Sequence, residues 1–85
     1  MMKHQVRTPA DALVYVTDCT LATVYNMATK KTRSTGEFER QINIAQTAIN
    51  WMLEMGVDFS GTRMVDVIKA GDVATWAAKY MPEIV

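Results

Sequence analysis

The chain has 85 residues, of which 49% are hydrophobic and 21% charged, with nine basic and nine acidic side chains. This composition excludes a disordered chain, because disordered segments contain too few apolar residues to offset their chain entropy. The length predicts one domain, residues 1–85, with a modest core. A net charge of zero neither requires nor excludes a nucleic-acid partner.

Three features of the sequence indicate where the protein works. Its single cysteine, Cys19, cannot form an intrachain disulfide, which is typical of a reducing compartment. No apolar run approaches the roughly 18 residues of a membrane span, and the start MMKHQVRTPAD lacks the apolar stretch of a signal peptide. We therefore predict a cytoplasmic protein without membrane contact, whose residues 1–7 form a flexible N-terminal tail.

The first predicted helix covers residues 9–30. Thr8 suits the cap and Pro9 the first helical position, and Asp11 can bond back to the cap and meet the positive end of the helix dipole. The β-branched residues of LVYVT would also fit a strand, but the cap and the total length favour a helix. Its polar strip spans only about 80°, and nearly all the rest is apolar or threonine.

The second predicted helix covers residues 35–55 and follows the polar turn KKTRSTG. Ser34 and Glu37 have the spacing of a capping box, in which each side chain satisfies a backbone donor, and Gly56 is a natural stop. An apolar arc of roughly 200°, which includes Ile44, Leu53 and Met55, predicts contacts with at least two neighbouring helices. The remaining polar arc of about 120° holds Glu39, Arg40, Asn43, Gln46, Thr47, Asn50 and Glu54.

Two short helices are predicted at residues 62–70 and 73–81. The residues that bound them are Ser60 or Thr62, Gly71, Asp72 and Pro82. The predicted fold class is therefore all-α, a compact bundle of about four helices, two long and two short. Short connections favour antiparallel neighbours, so we expect the long helices to form a hairpin with the C-terminal pair packed across it.

Enzyme chemistry has little support in the sequence. The only histidine that could activate Cys19 is His4, in the predicted tail, and the neighbouring Asp18 would point about 100° away on a helix. We interpret Cys19 as a buried, small apolar side chain. The carboxylate pairs on the long helices have no accompanying histidine, and Gly-rich phosphate loops, CxxC and HExxH are all missing from the sequence. We predict no catalytic, cofactor or metal site.

One feature favours nucleic acid as an alternative partner. Lys30, Lys31 and Arg33 precede the second helix, where cationic side chains and backbone donors can meet a phosphate. Arg40 and Arg63 would extend this basic surface. The same residues also suit an ordinary solvated turn that complements the negative end of the first helix.

Residues 64–81 have the helix, glycine, helix outline of a degenerate helix-turn-helix. The details of the sequence disagree with that motif. Val67 is bulky where a small residue is usual, and Asp72 begins the recognition helix with a charge that repels phosphate. The segment also lacks the Arg, Asn or Gln side chains that read base edges.

More features of the sequence favour a protein partner than favour nucleic acid. Trp51 lies at the margin between the two faces of the second helix, and Trp76, Tyr80 and Met81 cluster near the C-terminus. Interfaces favour such residues, although a small core can also use them as filling. The two long helices present more apolar surface than two short helices can cover, which implies a partner. Self-association through the first helix is the simplest solution, because a two-fold axis buries the same patch twice.

We therefore predict a small non-enzymatic protein-interaction module, an adaptor, inhibitor or assembly factor, that forms a homodimer and docks on an unidentified protein. Such proteins are common in bacteria and their phages, which is an analogy and not a motif match. The predicted partner-binding residues are Glu39, Arg40, Asn43, Gln46, Thr47, Asn50, Trp51 and Glu54. The alternative is a nucleic-acid-binding regulator that uses residues 30–33 and 64–81.

Overall fold

The computed structural model describes residues 6–30 and 34–82 of the chain. Within these ranges the chain forms four helices and no strand: α1 (Pro9–Ala28), α2 (Thr35–Met55), α3 (Met64–Ala70) and α4 (Val73–Ala78). The predicted all-α fold with two long and two short helices is confirmed. Residues 1–5 of the predicted flexible tail lie outside the described residues.

The start of α1 is fixed by the predicted capping box. The Asp11 N–H donates to Thr8 Oγ1 at 3.1 Å, and the Asp11 carboxylate accepts from the Thr8 N–H at 3.3 Å. The same carboxylate accepts from the Arg7 N–H at 3.1 Å, so the end of the predicted tail is tied to the helix. These bonds satisfy donors that a helix start otherwise leaves open, and α1 ends at Ala28, two residues earlier than predicted.

Only half of the predicted capping box is present at the start of α2. The Glu37 N–H donates to Ser34 Oγ at 3.4 Å, as predicted. The Glu37 carboxylate does not return a bond to the cap, because it accepts from Arg40 Nη2 at 2.5 Å and from Gln41 Nε2 at 2.8 Å. Side chains three and four residues apart share one helix face and compete for this carboxylate. At the other end Gly56 stops α2 in the left-handed conformation, with φ 68°.

The start of α3 agrees with the prediction only in part. This helix begins at Met64, and Ser60 bonds to Asp58 instead of capping it. The first donors are satisfied by Thr62 Oγ1, which accepts from the Met64 N–H at 3.2 Å, and by α1: Asp18 Oδ1 accepts from the Arg63 N–H at 3.0 Å. A carboxylate 45 residues away in sequence therefore accepts a hydrogen bond that a local cap would normally accept.

The start of α4 agrees with the prediction. The backbone turns at Gly71, whose φ of 114° favours glycine, and Asp72 Oδ1 accepts from the Thr75 N–H at 2.7 Å. The helix ends at Ala78, three residues short of the predicted boundary. Tyr80 consequently lies beyond the helix, with its ring 5.5 Å from that of Trp76.

The hairpin of α1 and α2 forms the frame of the fold. α2 packs against both α1 and α4, which confirms the prediction of two neighbours, and α3 packs on α4. The core lies between these helices. Its largest fully buried side chains are Leu21, Val24, Ile49, Met52, Met64, Val67 and Val73.

Several apolar residues remain outside this core. Cys19 was predicted to be buried but is exposed, because it lies about 140° around α1 from the buried Val14 and about 160° from the buried Leu21. On α2, Ile44, Leu53 and Met55 were assigned to the inward arc but are 49%, 50% and 61% exposed. The apolar arc of α2 is therefore wider than α1 and α4 together cover.

Candidate protein interface

Residues on the outward face of α2 line an open groove of about 860 Å³. A side chain of α1 completes it. The groove is lined by Leu13, Gly36, Glu39, Arg40, Asn43, Ile44, Thr47, Ala48 and Trp51. We call this surface the α2 groove.

One face of α2 is buried in the core, and the opposite face forms the α2 groove. Its buried residues include Phe38, Ala45 and Ile49, and at about 100° per residue Thr47 lies on the opposite side of the helix. Small side chains at Thr47 and Ala48 separate the larger ones of Ile44 and Trp51, each 49% exposed. The result is a depression with an apolar wall on a rigid helix.

Five of the eight predicted partner-binding residues line this groove: Glu39, Arg40, Asn43, Thr47 and Trp51. Gln46 faces α4 instead, because its Oε1 accepts from the Val73 N–H at 2.7 Å and its Nε2 donates to Asn50 Oδ1 at 3.0 Å. Gln46 therefore helps to hold α4 in place. Glu54 is exposed one turn beyond Trp51, outside the groove lining.

Sequence reasoning missed four lining residues: Leu13, Gly36, Ile44 and Ala48. The position of Ile44, about 60° around the helix from Thr47, was a usable signal, because it lies on the same side as Trp51. Leu13 carried no such signal. It belongs to another helix, and its place depends on how α1 packs.

The charges of this face lie towards its two ends. Arg40, near the start of α2, pairs with Glu37 at 2.5 Å, with the Arg40 side chain largely in solvent and the Glu37 side chain partly so. A pair this exposed contributes at most about 1 kcal/mol, so it leaves Arg40 available to a partner. Glu39 also lines the groove beside Arg40, so the start of this face carries charges of both signs, and the exposed Glu54 lies near the other end.

The predicted basic surface is only partly described. Lys31 and Arg33 lie outside the described residues, and Lys30 is exposed at the end of α1. Arg63 is paired with Asp18 across 2.9 Å, and Arg40 with Glu37. In the part of the chain that the structure describes, both arginines of the proposed basic surface therefore already contact a carboxylate.

The predicted helix-turn-helix corresponds to α3 and α4. The second helix has only six residues, and three of them, Val73, Trp76 and Ala77, are buried. Asp72 is used as its cap, and hydrogen bonds from Thr75 lower the pKa of the Asp72 carboxyl. Nucleic-acid binding through this helix remains a prediction without a specific observation in its favour.

Across residues 6–30 and 34–82, no group of three or more His, Cys, Asp or Glu side chains could hold a metal ion. The helices in the same ranges include none that is long and apolar enough to cross a bilayer. Hydrogen bonds from Ser60 lower the pKa of Asp58, and this pair belongs to the turn before α3.

No family model, curated protein or solved structure matches this chain.

Proposed function

We propose that this protein is a non-enzymatic protein-interaction module that binds a helix of a partner polypeptide in the α2 groove. The observation that carries this proposal is the exposure of Trp51 and Ile44 beside the small residues Thr47 and Ala48. Tryptophan is enriched among the residues that dominate binding energy, above all where it borders a pocket. A small domain has little apolar surface to spare, so a half-exposed tryptophan beside a groove favours binding.

The dimensions of the α2 groove suit a helix. Its lining extends from Gly36 to Trp51 along α2, which corresponds to about 22 Å, or four helical turns. A partner helix with apolar residues every three or four positions would place them against Ile44 and Trp51. The polar side chains at the rim, Glu39, Arg40 and Asn43 among them, would then fix its orientation.

The groove is also rigid before any partner arrives. The opposite face of α2 is fixed in the core by Ala45, Ile49 and Met52, and Ser34 and Gly56 define the two ends of the helix. A preformed surface loses less conformational entropy on binding than a loop does. This supports a docking role as adaptor, inhibitor or assembly factor.

We also propose that the module works in the cytoplasm. Cys19 is a free, exposed thiol, and an exposed free cysteine is compatible with a reducing compartment.

Site-specific photo-crosslinking tests the proposed function. Benzoylphenylalanine at Thr47, in the α2 groove, should give a discrete polypeptide adduct in cells that make the protein, and the same group at the exposed Asp66 of α3 should not. Adding Trp51→Ala to the Thr47 variant should remove the adduct without unfolding the protein. Equal adducts from both positions, or none from Thr47, would contradict the proposal.

A further inference from the structure

We infer that the helix in the α2 groove is α2 of a second copy of this chain, packed antiparallel about a two-fold axis at Thr47. The inference rests on the proposed function and names the partner of that same site. Self-association was predicted through the first helix, α1, and is here assigned to α2 instead.

The spacing of the outward residues of α2 matches a helix-packing seam. Arg40, Ile44, Thr47, Trp51 and Glu54 follow one another at intervals of four, three, four and three residues. This is the heptad spacing of helices that pack side by side. All five residues are exposed in a single copy.

The charges of this seam favour an antiparallel pair. Arg40 and Glu54 lie seven residues before and after Thr47, so a two-fold axis at Thr47 places Arg40 of each copy opposite Glu54 of the other. A parallel pair would instead place arginine against arginine and glutamate against glutamate, which is unfavourable. The antiparallel pair therefore has two attractive contacts where the parallel pair would have two repulsive ones.

The neutral side chains favour the same orientation. About 100° per residue places Ile44 and Trp51 on the α1 side of the seam and Asn43 and Asn50 on the α4 side. A two-fold axis perpendicular to both helices places the α1 sides of the two copies next to each other, and likewise their α4 sides. Ile44 therefore meets Trp51 of the second copy, and Asn43 meets its Asn50. A parallel pair would set the apolar residues against the amides.

The exposed face of α1 offers no comparable self-complementarity. It carries Val16 and Cys19 together with Thr20 and Thr23, whose hydroxyls donate to carbonyls of their own helix at 3.0 and 3.2 Å. These residues carry no charge that would select an orientation. The α2 seam carries opposite charges at its two ends, and so it is complementary to itself.

A charge exchange tests the inference. Sedimentation velocity on Arg40→Glu and on Glu54→Arg should show dimer dissociation constants raised about tenfold, because each change makes two contacts repulsive. The double variant should return to within about threefold of the unchanged protein, since both contacts are restored. Within one chain these residues are about 21 Å apart along α2, so the rescue must be intermolecular. Far-UV circular dichroism and thermal unfolding verify that each variant folds.

Crosslinking tests the orientation independently. In a Cys19→Ser background, a short bismaleimide should join an Arg40→Cys chain to a Glu54→Cys chain when the two are mixed. It should join two Arg40→Cys chains far less. Preferential crosslinking of like positions would indicate a parallel pair and overturn the inference.

The outcomes separate this inference from the proposed function. Dimers that both single changes weaken and the double change restores support the inference. A monomer at millimolar concentration, or a dimer indifferent to the charge changes, overturns it. If the Thr47 photo-adduct then contains a different polypeptide, the proposed function still holds, whereas a monomer without any adduct overturns both.

Discussion

The two tryptophans of this protein differ in their surroundings. Trp76 is 3% exposed and lies edge-on to Tyr80, in the region where α4 packs against α1 and α2. Trp51 is 49% exposed and borders the α2 groove. Both occur in amphipathic helices, so residue type alone cannot tell them apart. The difference shows that the core is complete without Trp51, which leaves that side chain available for binding.

Replacement of each tryptophan by alanine should change the free energy of unfolding by very different amounts. Trp76→Ala should lower the free energy of unfolding by about 4 kcal/mol, because it removes a large buried side chain and leaves a cavity. Trp51→Ala should change it by less than about 0.5 kcal/mol, as is usual for a surface position. Urea unfolding, at concentrations where the protein is monomeric, measures both. Equal losses would mean that Trp51 belongs to the core.

The second effect concerns neighbouring residues of α2. Gln46→Ala should lower the free energy of unfolding by about 1 to 2 kcal/mol, because the Val73 N–H that now donates to Gln46 would lose its partner. Thr47→Ala is the matched control and should have almost no effect on the monomer, since Thr47 lies in the groove. Thermal unfolding of the two variants gives the comparison. A larger loss for Thr47→Ala would contradict the assignment of these two faces.

The third effect concerns Thr17, on the buried face of α1. Thr17 is 2% exposed, and its buried hydroxyl has no hydrogen-bond partner within the described residues. Thr17→Val should therefore raise the free energy of unfolding by about 1 kcal/mol, because it removes an unsatisfied polar group at nearly constant volume. Thr23→Val is the exposed control, and its effect should be smaller. A less stable Thr17→Val variant would mean that the hydroxyl forms a bond in solution.

The smallest expected effect is the pH dependence at the start of α4. Hydrogen bonds from Thr75 hold the pKa of Asp72 below its usual 3.8. The charged carboxylate therefore stabilises the fold above that pH, and this contribution is lost as the pH falls through the lowered value. Asp72→Ser keeps a cap that does not titrate. The stability difference between the two proteins should shrink in acid, and a difference independent of pH would show that the Asp72 charge does not stabilise the cap.

Local signals in the sequence were sufficient for most helix ends. Thr8, Ser34, Gly56 and Asp72 act as predicted, because a cap depends on groups within a few residues. The start of α3 was predicted only in part. Thr62, one of its two predicted caps, accepts from the Met64 N–H, but the Arg63 N–H is satisfied by Asp18 on α1. Tertiary contacts of this kind leave no local pattern.

The α2 groove was predictable only in part. The polar arc identified Arg40, Asn43 and Thr47, because residues opposite a buried face can be placed by the helical repeat. Ile44 was assigned to the wrong side, since an apolar arc does not show which of its members the neighbours cover. Leu13 enters the groove through the packing of α1, which the pattern of α2 alone could not indicate.

Acrylamide quenching of tryptophan fluorescence is the most direct test of whether α2 of a second copy covers Trp51 in solution. Trp76 is buried and serves as an internal reference, and Trp51→Phe identifies the contribution of Trp51. Quenching of Trp51 should fall as the protein concentration rises, while quenching of Trp76 stays low throughout. A Trp51 that stays equally accessible to acrylamide up to millimolar protein would contradict the pairing of two copies through α2.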